Sequence, residues 1–562
     1  MKANLRLKIS GKNSRAALID NGQLQVSFDE QGKVKHLCYQ GLELLTNLAG
    51  EPGDPDKSHS FYCDYHQAGK AVNLQPSALK IIEKSAARIH IAYIDDTNEL
   101  GIEYHIIINN NDSAIYSYVK AWNNVHRKFK INELRTVYRL NRSLVPVSYN
   151  GERTGLQPTS AHMMQGQKLQ DETYLMPDGS LYDSSMIYSK YDYAGYLGKT
   201  DLWGQFGQKL GFWLILPDKS AYGCGPLNQD LLVHYDAIVL NYMVSEHFGK
   251  GVFEVQPDFN KIFGPWCIYL NNGDLADAKK RANHEKTAWP YEWVKDPDYA
   301  QTLYRVKGKI YSEYRHQSCT VILTDTRADQ VPLNQQKSGF MYYADTNTAG
   351  EFNIAHIRPG KYFLYVYENY ADDLATHLLK EVIVTDHNLD LGLLKIKRTT
   401  TTIWQIGLCT HTTAGMKFSE QLRNYSWLDL VPANWDYDIE KDAEWYYLQN
   451  DRGRWQIHFS KKSLQFDGRD YELQLSFAGT SQKDMKNDNG CTVKIALNGT
   501  TIATKVFPND RAAYRSAMKS GGYHLWQIKL PAAAVLNNNV ISITTDGYLM
   551  YDTISLVKSI ID

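Results

Sequence analysis

Lys190 stands in the run Ser189-Lys190-Tyr191-Asp192-Tyr193, and His247 closes the segment Asn241-Tyr242-Met243-Val244-Ser245-Glu246-His247. A lysine amine can take a proton from a weakly acidic carbon where burial or neighbouring cations favour its uncharged form. Tyr188, Tyr191 and Tyr193 would supply that burial. An imidazole, which ordinarily titrates near neutrality, can hand a proton to a departing oxygen. The pair therefore reads as a base and an acid for breaking a carbon–oxygen bond next to an acidic C–H. His234, in Leu232-Val-His-Tyr-Asp236, is a second histidine close enough in sequence to compete for the acid's place.

If the acidic carbon carries a carboxylate, its charge must be met before the proton can leave. Arg135, in Asn132-Glu-Leu-Arg-Thr-Val-Tyr138, is the expected partner, because a guanidinium grips a carboxylate with two bonds and keeps its charge. Arg139 and Arg142 are its rivals. Tyr242 would orient the sugar or the acid. Strict strand alternation puts Tyr242 and His247 on opposite faces, so both can serve one cleft only if the strand ends or bulges near Ser245-Glu246. The Gly249-Lys-Gly251 turn permits that.

These residues sit in a chain of short alternating runs. From the N-terminus to about residue 290, stretches such as Gln23-Leu-Gln-Val-Ser-Phe-Asp29 and Ile102-Glu-Tyr-His-Ile-Ile-Ile-Asn109 are divided by Gly, Asn and Asp turns. Nearly three hundred residues of period-two patterning predict a large antiparallel sandwich. One helix is expected over Asp274–His284, capped from Asn271 to Asp274 and stopped before Pro290. After a linker at Trp293–Asp298, about a hundred residues have the strand spacing of a fibronectin-III-like sandwich, with the turn Arg358-Pro-Gly-Lys361 as its clearest punctuation. Beyond the Thr399–Thr402 cluster the pattern is that of a jelly roll of carbohydrate-binding-module size. The expected domains are 1–295, 296–400 and 401–562, all of them β.

Composition narrows the partners. The 562 residues carry 61 Lys+Arg against 62 Asp+Glu, so no global basic field favours nucleic acid or an anionic membrane. Aromatic residues make up 12%, with 39 Tyr and 12 Trp, which suits β-strands and surfaces that stack against sugar rings. The seven scattered cysteines lack C-x-x-C spacing and read as reduced thiols, not as a disulfide framework or a zinc site. No signal peptide is visible at the start, and no run approaches a membrane span. A monomer is expected.

Three segments, one per domain, resemble polysaccharide lyase family 4, the rhamnogalacturonan lyases. The first is Lys209-Leu-Gly-Phe-Trp-Leu-Ile-Leu216 with Gly225-Pro-Leu-Asn-Gln-Asp230 and Gly264-Pro-Trp-Cys-Ile-Tyr-Leu-Asn-Asn-Gly273. The second is the Gly-x-Phe…Pro-Gly-x-Tyr pattern over 350–362. The third is Trp404-Gln-Ile-Gly407 with Tyr551-Asp-Thr-Ile-Ser-Leu556. The chain departs from the family where Cys409-Thr-His-Thr-Thr-Ala414 replaces an Asp-Arg-Thr-Ala run.

The resemblance implies a galactose-mutarotase-like super-sandwich as the catalytic domain, followed by the fibronectin-like module and the jelly roll. It implies β-elimination on rhamnogalacturonan I or its oligosaccharides, secretion as in the family, Lys190 as base and His247 as acid. Tyr191, Tyr193, Tyr242, His234 and Arg135 are then expected to bind substrate. It implies no metal in catalysis and no required cofactor. Asp552 of the last strand reads first as a capping or turn residue, with a structural calcium in the jelly roll as the alternative. Two other readings stay open at this point. One is a carbohydrate-binding scaffold without catalysis. The other is a glycoside hydrolase or mutarotase on the same sandwich, which would need a carboxylate pair drawn from residues such as Asp192 and Glu246.

Overall fold

A computed structural model of the protein describes residues 5–45, 60–176, 187–312, 318–370, 374–419, 431–462, 467, 470–483, 489–515 and 519–560. Alternation builds the N-terminal sheet as expected: in Leu24–Phe28 the residues Leu24, Val26 and Phe28 are buried while Gln25 and Ser27 are not. Among the described residues this sheet has five strands, and beside it a nine-stranded antiparallel sheet and a second five-stranded sheet form the sandwich. The nine-stranded sheet departs from simple alternation at its centre. Leu100–Asn109 and Ala114–Asn123 are buried almost throughout, because the sheet is covered on both faces. Tyr104, Ile106 and Ile108 face the sandwich core. Ile107, Tyr116 and Tyr118 face a second layer built from the helix and the segment after it.

That helix runs Leu275–Ala288, ending beyond the expected His284. Asp274 caps it by accepting from the Ala276 and Asp277 amides. Its packed face offers Ala278 and Ala282, small enough to let the helix lie close to the sheet, and Glu285. The Glu285 carboxylate is buried and accepts from Arg281 at 2.6 Å and from the Tyr116 hydroxyl at 3.0 Å.

A second core gathers Val306, Val321, Leu323, Ile354, Leu364 and Val366 between a three-stranded and a four-stranded sheet. A third packs Trp445, Trp455, Leu475 and Tyr551 between two further sheets that span Thr400–Gly407 to Tyr548–Ser559. The three bodies are joined by specific contacts. Tyr191, Ala194 and Phe248 of the first belong to the core of the third. Lys337 of the second donates to the carbonyls of Lys250 and Gly251, two residues past the His247 turn. The seven cysteines are free, and all but Cys38 are buried. No described helix is long and apolar enough to cross a membrane.

Asp552 lies fully buried in the last strand. One carboxylate oxygen accepts from the Thr410 amide at 2.8 Å and the other from the Ser476 hydroxyl at 2.7 Å. Both oxygens thus serve protein donors, which is a strand-pinning arrangement. Burial pushes this carboxyl up to about 7.

Candidate active site

Three neighbouring strands make one wall of a cleft of about 400 Å³. Glu133–Arg139 lies between Ile238–Val244 and Tyr62–Gln67, with Arg135 directly opposite Tyr242 on one side and Asp64 on the other. Period two then sorts the side chains. Arg135, Val137 and Arg139 point into the cleft with Ile238, Leu240, Tyr242 and Tyr62. Thr136 and Tyr138 point away and bond one another at 2.9 Å inside the sandwich.

Glu172, Lys190, His234 and Tyr235 also line the cleft, His234 from a short strand that pairs with Ile238–Val244. Lys190 is not on a strand. It opens a 3₁₀ turn, Lys190–Tyr193, whose start is fixed when the Ser189 hydroxyl accepts from the Tyr191 amide and Asp192 accepts from the Ser189 amide. The turn directs Lys190 into the cleft, where its Nζ donates to Glu172 at 2.6 Å with 20% of the side chain exposed. Tyr235 donates to the other Glu172 oxygen at 2.5 Å. Burial alone would raise the Glu172 carboxyl, but Lys190 and His234 pull it down to about 2. Burial, and then the charge of Lys190, hold His234 down to about 3, so this imidazole is neutral. Its Nδ1 lies 3.0 Å from the Tyr235 carbonyl and must donate there, which leaves Nε2 as an acceptor.

Along the same face of the strand wall runs a largely buried chain of charge. Arg135 holds Asp64 with two bonds, at 2.9 and 3.2 Å, and meets the Tyr242 hydroxyl at 3.2 Å and Glu133 at 3.3 Å. His247 continues the chain, with Nε2 3.5 Å from Glu133 and Nδ1 3.2 Å from Asp230. Lys250 pairs with the second oxygen of Asp230. Burial would raise the Asp230 carboxyl, yet Lys250 and His247 bring it below its ordinary value.

The strand Ile238–Val244 does end before Ser245, and Phe248 takes a left-handed φ of 53° in the turn that follows. The chain thereby folds back and sets the His247 ring edge-on to Tyr242, centroids 5.1 Å apart. Gly249 completes the turn at φ +82°, and a Cβ there would lie 2.1 Å from the Gly522 nitrogen of the third domain. Gly249→Ala should therefore cost about 1–3 kcal/mol in backbone strain alone, besides opening the domain contact. A clear drop in the thermal unfolding midpoint checks this, and an unchanged midpoint would contradict it.

The cleft thus gathers Lys190, His234, Arg135 and Tyr242. It does not take in His247, Tyr191, Tyr193 or Arg142. His247 lies behind Tyr242 with 6% of its side chain exposed. Tyr191 turns inward, where its hydroxyl donates to Asp171 at 2.8 Å, and Tyr193 is fully buried under the Arg153 guanidinium. Both belong to the 3₁₀ turn and are buried, so the expectation that they bind substrate in this cleft is not met. Arg142 donates to the Gln157 carbonyl at 2.8 Å. Asp192 is spent on the cap and Glu246 accepts from Asn132 at 2.9 Å, so neither lines the cleft. Sequence reasoning missed Glu172, Tyr235, Tyr62 and Asp64. Strand pairing alone would have found the last two once Tyr62–Gln67 was aligned with Glu133–Arg139.

Residues 402–556 match the family model described as polysaccharide lyase family 4, domain III, and residues 313–371 match domain II of the same family. The chain is 34% identical over 567 aligned positions to the rhamnogalacturonate lyase of Dickeya dadantii, covering 99% of this chain and 95% of that one. The chain belongs to polysaccharide lyase family 4. It is 24% identical to rhamnogalacturonate lyase B of Emericella nidulans, over 70% of this chain and 64% of that protein. Among solved structures, a putative aldose 1-epimerase from Escherichia coli aligns over 48% of this chain and all of that one, with 9% identity and a TM-score of 0.27. As a family 4 member the protein is a polysaccharide lyase, and its all-β architecture of sandwich, fibronectin-like module and jelly roll is the family's.

Proposed function

We propose that this lyase acts on rhamnogalacturonan I, cleaving the α-1,4 bond between rhamnose and galacturonate by β-elimination. The Lys190 amine takes the C5 proton of galacturonate, the electron pair forms the C4=C5 double bond, and the C4–O4 bond breaks. A proton delivered to O4 completes the new hydroxyl. The observation that carries the reading is the cleft itself, where one amine, Lys190, and two guanidinium groups, Arg135 and Arg139, line the same space together with Tyr62, Tyr235 and Tyr242. Arg135 already holds Asp64, so Arg139, which also lines the cleft, shares the task of meeting the uronate charge.

His247 is assigned to protonate O4. Its Nδ1 is engaged by Asp230 and Ser245, both at 3.2 Å. Its Nε2 reaches Glu133 only at 3.5 Å, at the edge of hydrogen-bonding range, and is the nitrogen available to turn toward a sugar. Tyr242 stands between His247 and the cleft, so the sugar must shift its ring. His247→Ala should reduce the rate by about 10²-fold. A near-normal rate in His247→Ala, with loss in Tyr242→Phe, would give the proton to the tyrosine instead.

His234 is neutral to about pH 3 and so cannot set an acid limb near neutrality. In His234→Gln the acid limb of the kcat/KM profile should stay in place while KM rises. An acid limb that vanishes in this variant would overturn the assignment.

The function itself is tested by incubating the protein with rhamnogalacturonan I and with homogalacturonan. Ultraviolet absorbance from an unsaturated uronate should appear with the first only, with rhamnose at the new reducing end. New reducing ends without absorbance would mean hydrolysis, and neither signal would mean a non-catalytic binder.

A further inference from the structure

Where the three domains meet, a cavity of about 210 Å³ is lined by Pro226 and Leu227 of the first, Ile322 and Tyr367 of the second, and His411 and Tyr523 of the third. Among the described residues, no charged side chain lines it. His411 is 3% exposed, and neither ring nitrogen has a hydrogen-bond partner. Tyr367 and Tyr523 flank the ring, each with its centroid 4.2 Å away. The backbone holds the histidine there in a left-handed conformation, φ 60°. Buried polar atoms nearly always find partners, so an imidazole with both nitrogens unmet beside an empty space is an exception that requires a reason. A larger groove of about 550 Å³ shares Pro226, Leu227 and Tyr367 with the cavity and offers an approach to it.

We propose that this junction cavity binds one neutral sugar residue, a second carbohydrate site apart from the catalytic cleft. The chemistry fits on three counts. A neutral imidazole presents one donor and one acceptor, the complement of a hydroxyl that both accepts and donates. Burial keeps His411 in that neutral form, holding it down to about 4. Apolar and tyrosine walls suit the C–H faces of a pyranose, including a 6-deoxy methyl group. A uronate would have to bury its charge against walls that hold no cation, which is costly. The inference rests on the sugar-acting reading above, and it assigns the neutral residues of that polymer, backbone deoxyhexose or side-chain hexose, to this site.

The test follows the imidazole signals of ¹⁵N-histidine-labelled protein during titration with L-rhamnose, D-galactose and D-galacturonate, with His411 assigned from His411→Phe. A saturable shift of the His411 signals with a neutral sugar, and none with galacturonate, is expected. Which of the two neutral sugars acts tells backbone from side chain. Leu227→Trp, which fills the cavity wall without touching the histidine, should weaken that binding at least tenfold and leave lyase activity unchanged. His411 signals unmoved by both neutral sugars, or moved equally by galacturonate, would overturn the proposal even in a protein with full lyase activity. A shift seen in a protein without lyase activity would retain this site and reject the catalytic reading instead.

Discussion

Replacing Lys190 with alanine should lower kcat on rhamnogalacturonan I by about 10²-fold or more, the scale of a lost general base, and leave the unfolding midpoint nearly unchanged. The side chain is one-fifth exposed at the cleft and its one salt bridge, to Glu172, is open to solvent on the carboxylate side. Such a pair contributes about 0–1 kcal/mol to stability. The effect should therefore fall on rate and not on folding. The ion pair also makes a second forecast about the same group. Glu172→Gln removes the carboxylate to which Lys190 Nζ donates at 2.6 Å and should change kcat while leaving the unfolding midpoint nearly unchanged. An unaltered kcat would show that this contact does not position the amine.

Arg135→Ala should act in the opposite sense, on stability first. Arg135 holds Asp64, whose side chain is fully buried, and also touches Glu133. Burial would raise the Asp64 carboxyl, but the guanidinium beside it keeps it below its ordinary value. Without the guanidinium, two carboxylates remain in the interior with less compensation, at a cost of about 3–5 kcal/mol. The linkage has a definite direction. A carboxyl depressed in the folded state adds stability above its unfolded value, near pH 4, and loses it as the pH falls through the folded value. The difference between wild type and Arg135→Ala should accordingly be full at neutral pH and shrink below about pH 4. Denaturant unfolding across that range measures it, and a constant difference would contradict the ion-pair account. Arg135→Lys should recover part of the stability, because an ammonium keeps the charge and loses the two-bonded grip.

How much of this was readable in the residues depends on the range over which each feature is encoded. The three β domains and their order were legible, since period-two runs and turn residues are local. The strand wall was half legible: Arg135 and Arg139 share a face by alternation, whereas their facing Tyr62, Asp64 and Tyr242 depend on which strands pair. Lys190 could be picked out as a candidate from its neighbours, but its setting could not. The Ser189 and Asp192 side chains cap a 3₁₀ turn, and both tyrosines of that turn, Tyr191 and Tyr193, are buried. Glu172 carries no periodic signal, and its meeting with Lys190 is set by the antiparallel pairing of Thr173–Leu175 with Ile187–Ser189. The enclosure of His247 was equally hidden, because Glu133 and Asp230 reach it from separate parts of the chain while the third domain packs on its neighbours Phe248 and Gly249.

The most direct test of the amine at position 190 is to remove it and put it back by chemistry. Lys190→Cys should be folded and nearly inactive in the unsaturated-uronate assay, and aminoethylation of that cysteine, with wild type treated in parallel, should return a substantial fraction of the rate. A folded Lys190→Cys protein that works at the wild-type rate, or one that gains nothing when the amine is restored, would contradict the proton abstraction placed at this residue.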